Sequence, residues 1–423
     1  MEQPMVSVRR PRKKKAAAAK KEKVAAEVDS HFSWSPSGGE EEKLYAIDGL
    51  VKETLPCTLG HETQSLIELI FSNDMFEGAM RKMGIDVKKM PPGKISKTLI
   101  ARAFGVLEKL EDAITNIQEL SRIFYTLIPH DFGQERPPWI DSLENVCQKK
   151  DNLSVLADIE IAQEMEMRRT MDWLSAKMFN ITCKASSDSD IKESKVEVVP
   201  NPLDEQYKML NCKLEHVSKS AEDFKLMNEY LNNTGSKSSR KCTLENLWTV
   251  DRVDEGERFQ VHDRIGNRKL LWHGTNIARV PAILKSGLRI MPQSRGRVGA
   301  GIYFASESSK SAEYVVPAGR KGIMFLNEVV LGKEHIIKQD DRTLTAAPMG
   351  YNSVIGKGHT EPDPEENTEI IQDGHEVIVP KGKVINIPEY YDSSFSQSEY
   401  LVYREDQCRI RYMLEVLFES RKK

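Results

Sequence analysis

A change of hydrophobic period divides this chain. From residue 62 to about 180, apolar residues recur at helical spacing; beyond Ser194 they gather into short β-branched or aromatic runs separated by Gly, Pro and Asp. Helices followed by runs of strands exclude an alternating βαβ chain. They predict a multidomain protein in which an all-α helical bundle precedes an α+β domain with a mostly antiparallel sheet. In the first part Leu66, Leu69 and Ile70 share a face, and Ser96 is placed to cap a helix with Leu99, Ala103, Val106, Leu110, Ala113 and Ile117 on one stripe. A further helix covers residues 120–127 before Pro129, and a long one runs from Asp151 to Trp173. In the second part a capped helix spans residues 220–231 and a short one 277–286. Strands are predicted at 244–250, 269–273, 301–305, 323–331, 376–379, 398–403 and 409–418.

Residues 1–60 read as a disordered basic tail and linker, 61–184 as the helical domain, a Ser/Asp-rich stretch at 185–194 as a second linker, and 195–423 as the α+β domain. Six of the seven residues from 9 to 15 are Lys or Arg. Such a run suits nuclear import with some affinity for DNA, or a merely solvated tail. Residues 1–23 carry a net +7 and the remaining 400 a net −10, so attraction to nucleic acid is expected from the tail or from local patches. No apolar run reaches the roughly 18 residues that cross a bilayer, and no apolar segment follows the basic N-terminus as in a secretory signal. The six cysteines (57, 147, 183, 212, 242 and 408) form no CxxC pair, so neither a zinc site nor a disulfide framework is expected.

Four strings stand out: Leu271-Trp272-His273-Gly274-Thr275, Gly301-Ile302-Tyr303-Phe304-Ala305, Ser309-Lys310-Ser311-Ala312-Glu313-Tyr314, and Gln397-Ser398-Glu399-Tyr400-Leu401-Val402-Tyr403. Singly, each has an ordinary explanation. A lone His at a strand end is more often structural than catalytic, and Tyr303 and Tyr314 suit a core or its rim. Lys310 suits a surface, and Glu399, alternating with apolar residues, suits the solvated face of a strand. In combination and in this order they resemble the catalytic domain of the poly(ADP-ribose) polymerase family of NAD-dependent ADP-ribosyltransferases, whose signature is a His, Tyr and Glu triad. Residues 61–423 share the likeness. Lys89-Met90-Pro91-Pro92-Gly93-Lys94-Ile95-Ser96, Phe124-Tyr125-Thr126-Leu127-Ile128-Pro129-His130-Asp131-Phe132-Gly133 and Leu156-Ala157-Asp158-Ile159-Glu160 resemble the helical regulatory domain of the DNA-damage-responsive members. The strings at 358–364 and 395–400 are most similar to the nuclear, mono-ADP-ribosylating branch.

The resemblance implies roles. Glu399 would stabilise the oxocarbenium-like sugar, bond its 2′-hydroxyl and orient the acceptor, with Lys310 assisting nearby. The Gly274 backbone and the Ser311 hydroxyl would hold the nicotinamide amide, Tyr314 would stack on its ring, and Tyr303 would flank the other side. His273 would bond the adenosine ribose, Thr275 would stand where a Ser is common, and Arg289 with the loop 291–299 would cover the adenylate half. NAD+ is the expected co-substrate, without a metal. His130 and Asp131 are expected to be structural at the domain interface.

The likeness further implies a nuclear enzyme that adds single ADP-ribose units to Glu or Asp side chains of itself and of DNA-repair or chromatin proteins, releasing nicotinamide. A weakly active scaffold that binds NAD+ and repair partners, a chain-extending polymerase and a simple NAD hydrolase are the alternatives. DNA strand breaks would be met through the basic tail, and no membrane is expected. None of the five tryptophans is followed by Gly-Arg, so the Trp-Gly-Arg domain of the DNA-responsive members has no recognisable counterpart.

Overall fold

The computed structural model describes residues 52–112, 116–184, 197–235, 240–291 and 296–419. The basic run at 9–15 and the linker at 185–194 lie outside the described residues. The architecture below is that of one compact unit, residues 54–192 and 198–423; of the other, residues 1–53 and 193–197, the structure describes residues 52, 53 and 197, all in strand conformation.

The helical half contains α1 (His61–Ile70), α2 (Asn73–Lys82), α3 (Lys97–Glu111), α4 (Ile117–Leu127) and α5 (Leu143–Lys184). Ser72 and Ser96 cap α2 and α3 by accepting from the amides of Met75 and Leu99. The buried stripe of α3 is Ile100, Ala103, Val106, Leu107 and Leu110; Leu99 is only half-buried, and Ile117 opens a separate helix. α5 is 42 residues long and begins eight residues before Asp151, where the Ser142 hydroxyl accepts from the Asn145 amide. Its buried residues Leu153, Leu156, Ile159, Ala162 and Met165 recur every three positions and face one core. His130 is buried between the Ile128 carbonyl (2.7 Å) and Lys149 Nζ (2.8 Å), and the Asp131 carboxylate accepts from the Gly133 amide within its own turn.

After α6 (Pro202–Met209) come β1 (Cys212–His216), α7 (Glu222–Asn233) and β2 (Cys242–Arg252). The cap position of α7 falls on Ala221, whose methyl group cannot accept a hydrogen bond, so the expected cap at Ser220 is not made. α8 (Glu255–Phe259), β3 (Arg268–Gly274), α9 (Val280–Ser286), β4 (Ile302–Phe304) and α10 (Ser308–Ala312) follow. The remaining strands are β5 (Lys321–Val330), β6 (Glu334–Ile337), β7 (Ser353–Gly356), β8 (Gly358–Pro362), β9 (Thr368–Gln372), β10 (His375–Val379), β11 (Val384–Asn386), β12 (Phe395–Gln397), β13 (Glu399–Val402) and β14 (Cys408–Phe418).

Seven strands form the main sheet in the order β9-β10-β3-β5-β14-β2-β1, antiparallel except between β10 and β3. The order β4-β13-β7-β6 makes a second sheet, antiparallel except between β7 and β6, and β11-β8-β12 make a third. Trp272 on β3 and Ala305 after β4 exchange backbone hydrogen bonds of 2.8 and 3.0 Å, which seams the first two sheets together. The helical half packs on this scaffold through the same core, where the buried Trp248 of β2 donates to the Thr63 hydroxyl of α1 at 3.1 Å. No helix among the described residues is long and apolar enough to cross a membrane.

Candidate active site

The fully buried Leu270, Leu271 and Trp272 anchor β3 in the main sheet, and the strand ends on His273 and Gly274 beside the seam. The His273 ring meets the Tyr303 carbonyl through Nδ1 at 2.9 Å. A carbonyl oxygen only accepts, so Nδ1 carries the hydrogen. Burial lowers the pKa of His273 to about 4, against the hydrogen bond to Tyr303 and with help from the Arg279 cation. The ring is neutral at pH 7, and Nε2 keeps a lone pair that can accept from a hydroxyl.

Gly274 is pressed against α10. A Cβ on it would lie 1.8 Å from the Ser311 carbonyl oxygen, so the position tolerates no side chain. Ser311 itself is buried, and the neighbouring Thr275 hydroxyl is buried with no hydrogen-bond partner among the described residues.

Opposite stands Glu399 at the start of β13. Its expected solvated face does not exist: every residue of β13 is buried, because sheet and core cover both sides. The Glu399 carboxylate is 4% exposed, with Lys310 Nζ 2.9 Å and Arg297 Nη1 3.9 Å from Oε1. Neither contact is aligned as a hydrogen bond, and Oε1 has no such partner among the described residues. Burial works against the charge on Lys310, yet Glu399 holds its pKa above the ordinary lysine value. The ammonium is therefore well covered, not a surface group, with the Tyr314 ring centre 5.9 Å away. The Tyr303 hydroxyl donates to the Gly299 carbonyl (2.7 Å) and accepts from the Val298 amide (3.0 Å), so it ties down the adjoining loop.

Arg289 departs from the simple expectation. It donates to Asp158 of α5, whose other oxygen accepts from Arg279 Nε at 2.6 Å. Asp158 is buried and each arginine about 70% so, which makes this a charge cluster shared between the helical half and the candidate donor site. Asp158 lay within a string singled out above, but its pairing across more than a hundred residues has no local signal; Arg279 was not singled out. Arg297, inside the loop at 291–299, was not separated from it either. Its guanidinium is held by Asp340 at 2.6 and 2.9 Å and lies over the Phe395 ring, an arrangement that only the fold assembles.

One cleft of about 980 Å³ joins these groups. His273, Gly274, Thr275, Arg289, Tyr303, Lys310, Ser311, Tyr314 and Glu399 all line it, and the opposite wall includes Val155 and Asp158 of α5. A dinucleotide fits this chemistry. The orphaned oxygens of Thr275 and Glu399 await hydroxyl or amide donors, Gly274 brings the end of β3 to the cleft wall close against Ser311, and His273 presents an acceptor.

Comparison with known proteins agrees with this reading. Residues 221–418 match the model of the poly(ADP-ribose) polymerase catalytic domain, and residues 57–175 that of the poly(ADP-ribose) polymerase regulatory domain. The chain is 50% identical over 379 residues to the protein mono-ADP-ribosyltransferase PARP3 of Homo sapiens, covering 87% of this chain and 67% of that protein. Its identity is 50% over 372 residues to the Mus musculus protein of the same name (85% and 66%) and 47% over 397 residues to that of Gallus gallus (90% and 70%). The chain thus spans about two thirds of the length of these relatives.

Proposed function

This chain belongs to the poly(ADP-ribose) polymerase family of NAD+-dependent ADP-ribosyltransferases, and we propose that it adds single ADP-ribose units to acidic side chains of itself and of other nuclear proteins. The observation that carries the reading is the buried Glu399 carboxylate, its Oε1 free of hydrogen bonds among the described residues, in one cleft with His273 and Gly274. Transfer breaks the bond from ribose C1′ to the nicotinamide nitrogen, which leaves with the electron pair as a neutral ring. Positive charge then grows on the sugar, and a fixed carboxylate beside it lowers the barrier. An acceptor carboxylate closes the new C1′–O bond without losing a proton, since it arrives ionised. The Lys310 and Arg297 cations near Glu399 favour such an acceptor.

We assign His273 to accept from a ribose hydroxyl, Gly274 and Ser311 to hold the nicotinamide amide, Tyr314 to cover its ring and Tyr303 to fix the loop over the donor. Single-unit transfer is supported by the names of the PARP3 relatives, and nuclear placement with repair or chromatin partners by the basic run at 9–15. The helical half restrains the donor cleft: Asp158 engages Arg289 and Arg279, and a partner or DNA end that loosens α5 shifts the population toward freed arginines.

The test is incubation with labelled NAD+, with and without a nicked 5′-phosphorylated duplex, beside Glu399→Ala. Discrete labelling that depends on Glu399 is expected. A smear would turn the reading to chain extension, and nicotinamide release without labelling to hydrolysis. NAD+ binding without either would leave a scaffold.

A further inference from the structure

We propose that Glu307 is a positioning residue, which fixes the catalytic carboxylate of Glu399 against Lys310 from outside the cleft. Glu307 immediately precedes α10 but makes no capping bond to it, and its side chain turns toward the strands instead. It is 4% exposed and does not line the cleft. Its Oε1 accepts from the Thr360 hydroxyl of β8 and its Oε2 from Gln397 Nε2 of β12, both at 2.6 Å. Gln397 Nε2 donates a second time, to the Ser309 hydroxyl at 2.8 Å. Three side chains thus close a ring between α10 and the strand that leads into β13. Ser309 directly precedes Lys310, and Gln397 lies two residues before Glu399, so the ring spans the Lys310–Glu399 contact at its base.

A second buried carboxylate acts on the other flank. Glu361 accepts from the Ser306 hydroxyl (2.6 Å), the Tyr400 hydroxyl (2.8 Å) and Lys357 Nζ (2.9 Å). Residues 306 and 307 are therefore tied to residues 400 and 397, which bracket Glu399. Burying carboxylates is costly compared with apolar packing, and these reach no substrate-facing surface. What they provide is a fixed relation between two short segments, each too short to hold its own geometry.

The experiment compares nicotinamide release by the full chain and by Glu307→Ala, Glu307→Gln, Gln397→Ala and the double Ala variant. Misplacement of Glu399 should lower kcat by about 10- to 100-fold in Glu307→Ala, with KM for NAD+ within about two-fold. Glu307→Gln should restore kcat, because the new amide can donate to a flipped Gln397 oxygen, which accepts from Ser309, while its own oxygen still accepts from Thr360. Gln397→Ala should match Glu307→Ala, and the double variant should be no worse than either. Unchanged kcat in Glu307→Ala, an equal loss in Glu307→Gln, or additive losses would overturn the proposal. Should Glu307→Ala fail to fold, Gln397→Ala must show the same split between kcat and KM, and its absence decides against the ring. Release of nicotinamide reports donor cleavage whatever the acceptor, so an error in acceptor or product length leaves this test standing.

Discussion

Lys310 Nζ stands 2.9 Å from Glu399 Oε1 without the alignment of a hydrogen bond. The cation stands against the buried carboxylate while the oxygen remains open to a substrate hydroxyl. Glu399→Gln keeps the shape and removes the charge that would face the developing oxocarbenium. It should lower kcat by about 100- to 1,000-fold while KM for NAD+ changes little. Lys310→Met should cost less, because the Glu399 carboxyl group that faces the sugar is still in place. Steady-state nicotinamide release measures both, and a Gln variant as fast as the parent would remove Glu399 from the chemistry.

Asp158 pairs with two guanidinia that line the donor cleft. Asp158→Ala leaves Arg279 and Arg289 unpaired but able to hydrate, since each is already about a third exposed. If α5 restrains the donor, the variant should raise basal nicotinamide release by at least about 5-fold. Amide exchange in α5 should quicken with it. A basal rate that falls, with α5 exchange unchanged, would make the cluster a simple structural tie.

The helices were legible because Leu153 and Leu156, or Leu66 and Ile70, recur at the spacing that buries one face. The central strands were legible for the opposite reason: the apolar runs of β5 and β14 are covered on both sides. β1, at the edge of the main sheet, escaped notice because three of its five residues are exposed or polar and no run marks it. The start of α5 escaped because residues 143–150 are largely polar and their apolar face is too sparse to show a period. In the site, the short strings around His273 and Glu399 carry their own signal, whereas Asp158, Arg279, Arg297 and Glu307 acquire partners only when distant segments meet. Glu307, set among serines, reads as surface; its burial follows from where β8 and β12 pass.

His130 and His273 both have pKa values lowered from 6.5 to about 4, chiefly by burial. In the pH range between these values the unfolded chain binds protons that the folded chain refuses. The stability tied to these rings is complete above about pH 6.5 and is lost as pH falls through about 4. His130 lies outside the assigned chemistry, so His130→Asn isolates its share. Urea unfolding followed from pH 7 to 4.5 should show a slope shallower by up to about 1.4 kcal/mol per pH unit in the variant. Parallel curves would mean that His130 titrates alike in both states.

Gly274 and Gly78 make opposite predictions for the same substitution. At Gly274 a methyl group would collide with backbone, the Ser311 carbonyl at 1.8 Å, and backbone on a short helix packed against the sheet cannot swing aside as a side chain can. Gly274→Ala should therefore cost about 1–3 kcal/mol through overpacking and should widen the gap between β3 and α10 that holds the nicotinamide end. At Gly78, within α2, nothing lies within 4 Å of the added Cβ. Gly78→Ala should stabilise the chain by about 0.5–1 kcal/mol, because the helix gains and the unfolded state loses freedom. Thermal melts and NAD+ titration calorimetry separate the two. Gly274→Ala should lose binding along with stability, while Gly78→Ala should melt higher with binding unchanged. If Gly274→Ala bound NAD+ as the parent does, the close packing of Gly274 on Ser311 would have no part in holding the donor.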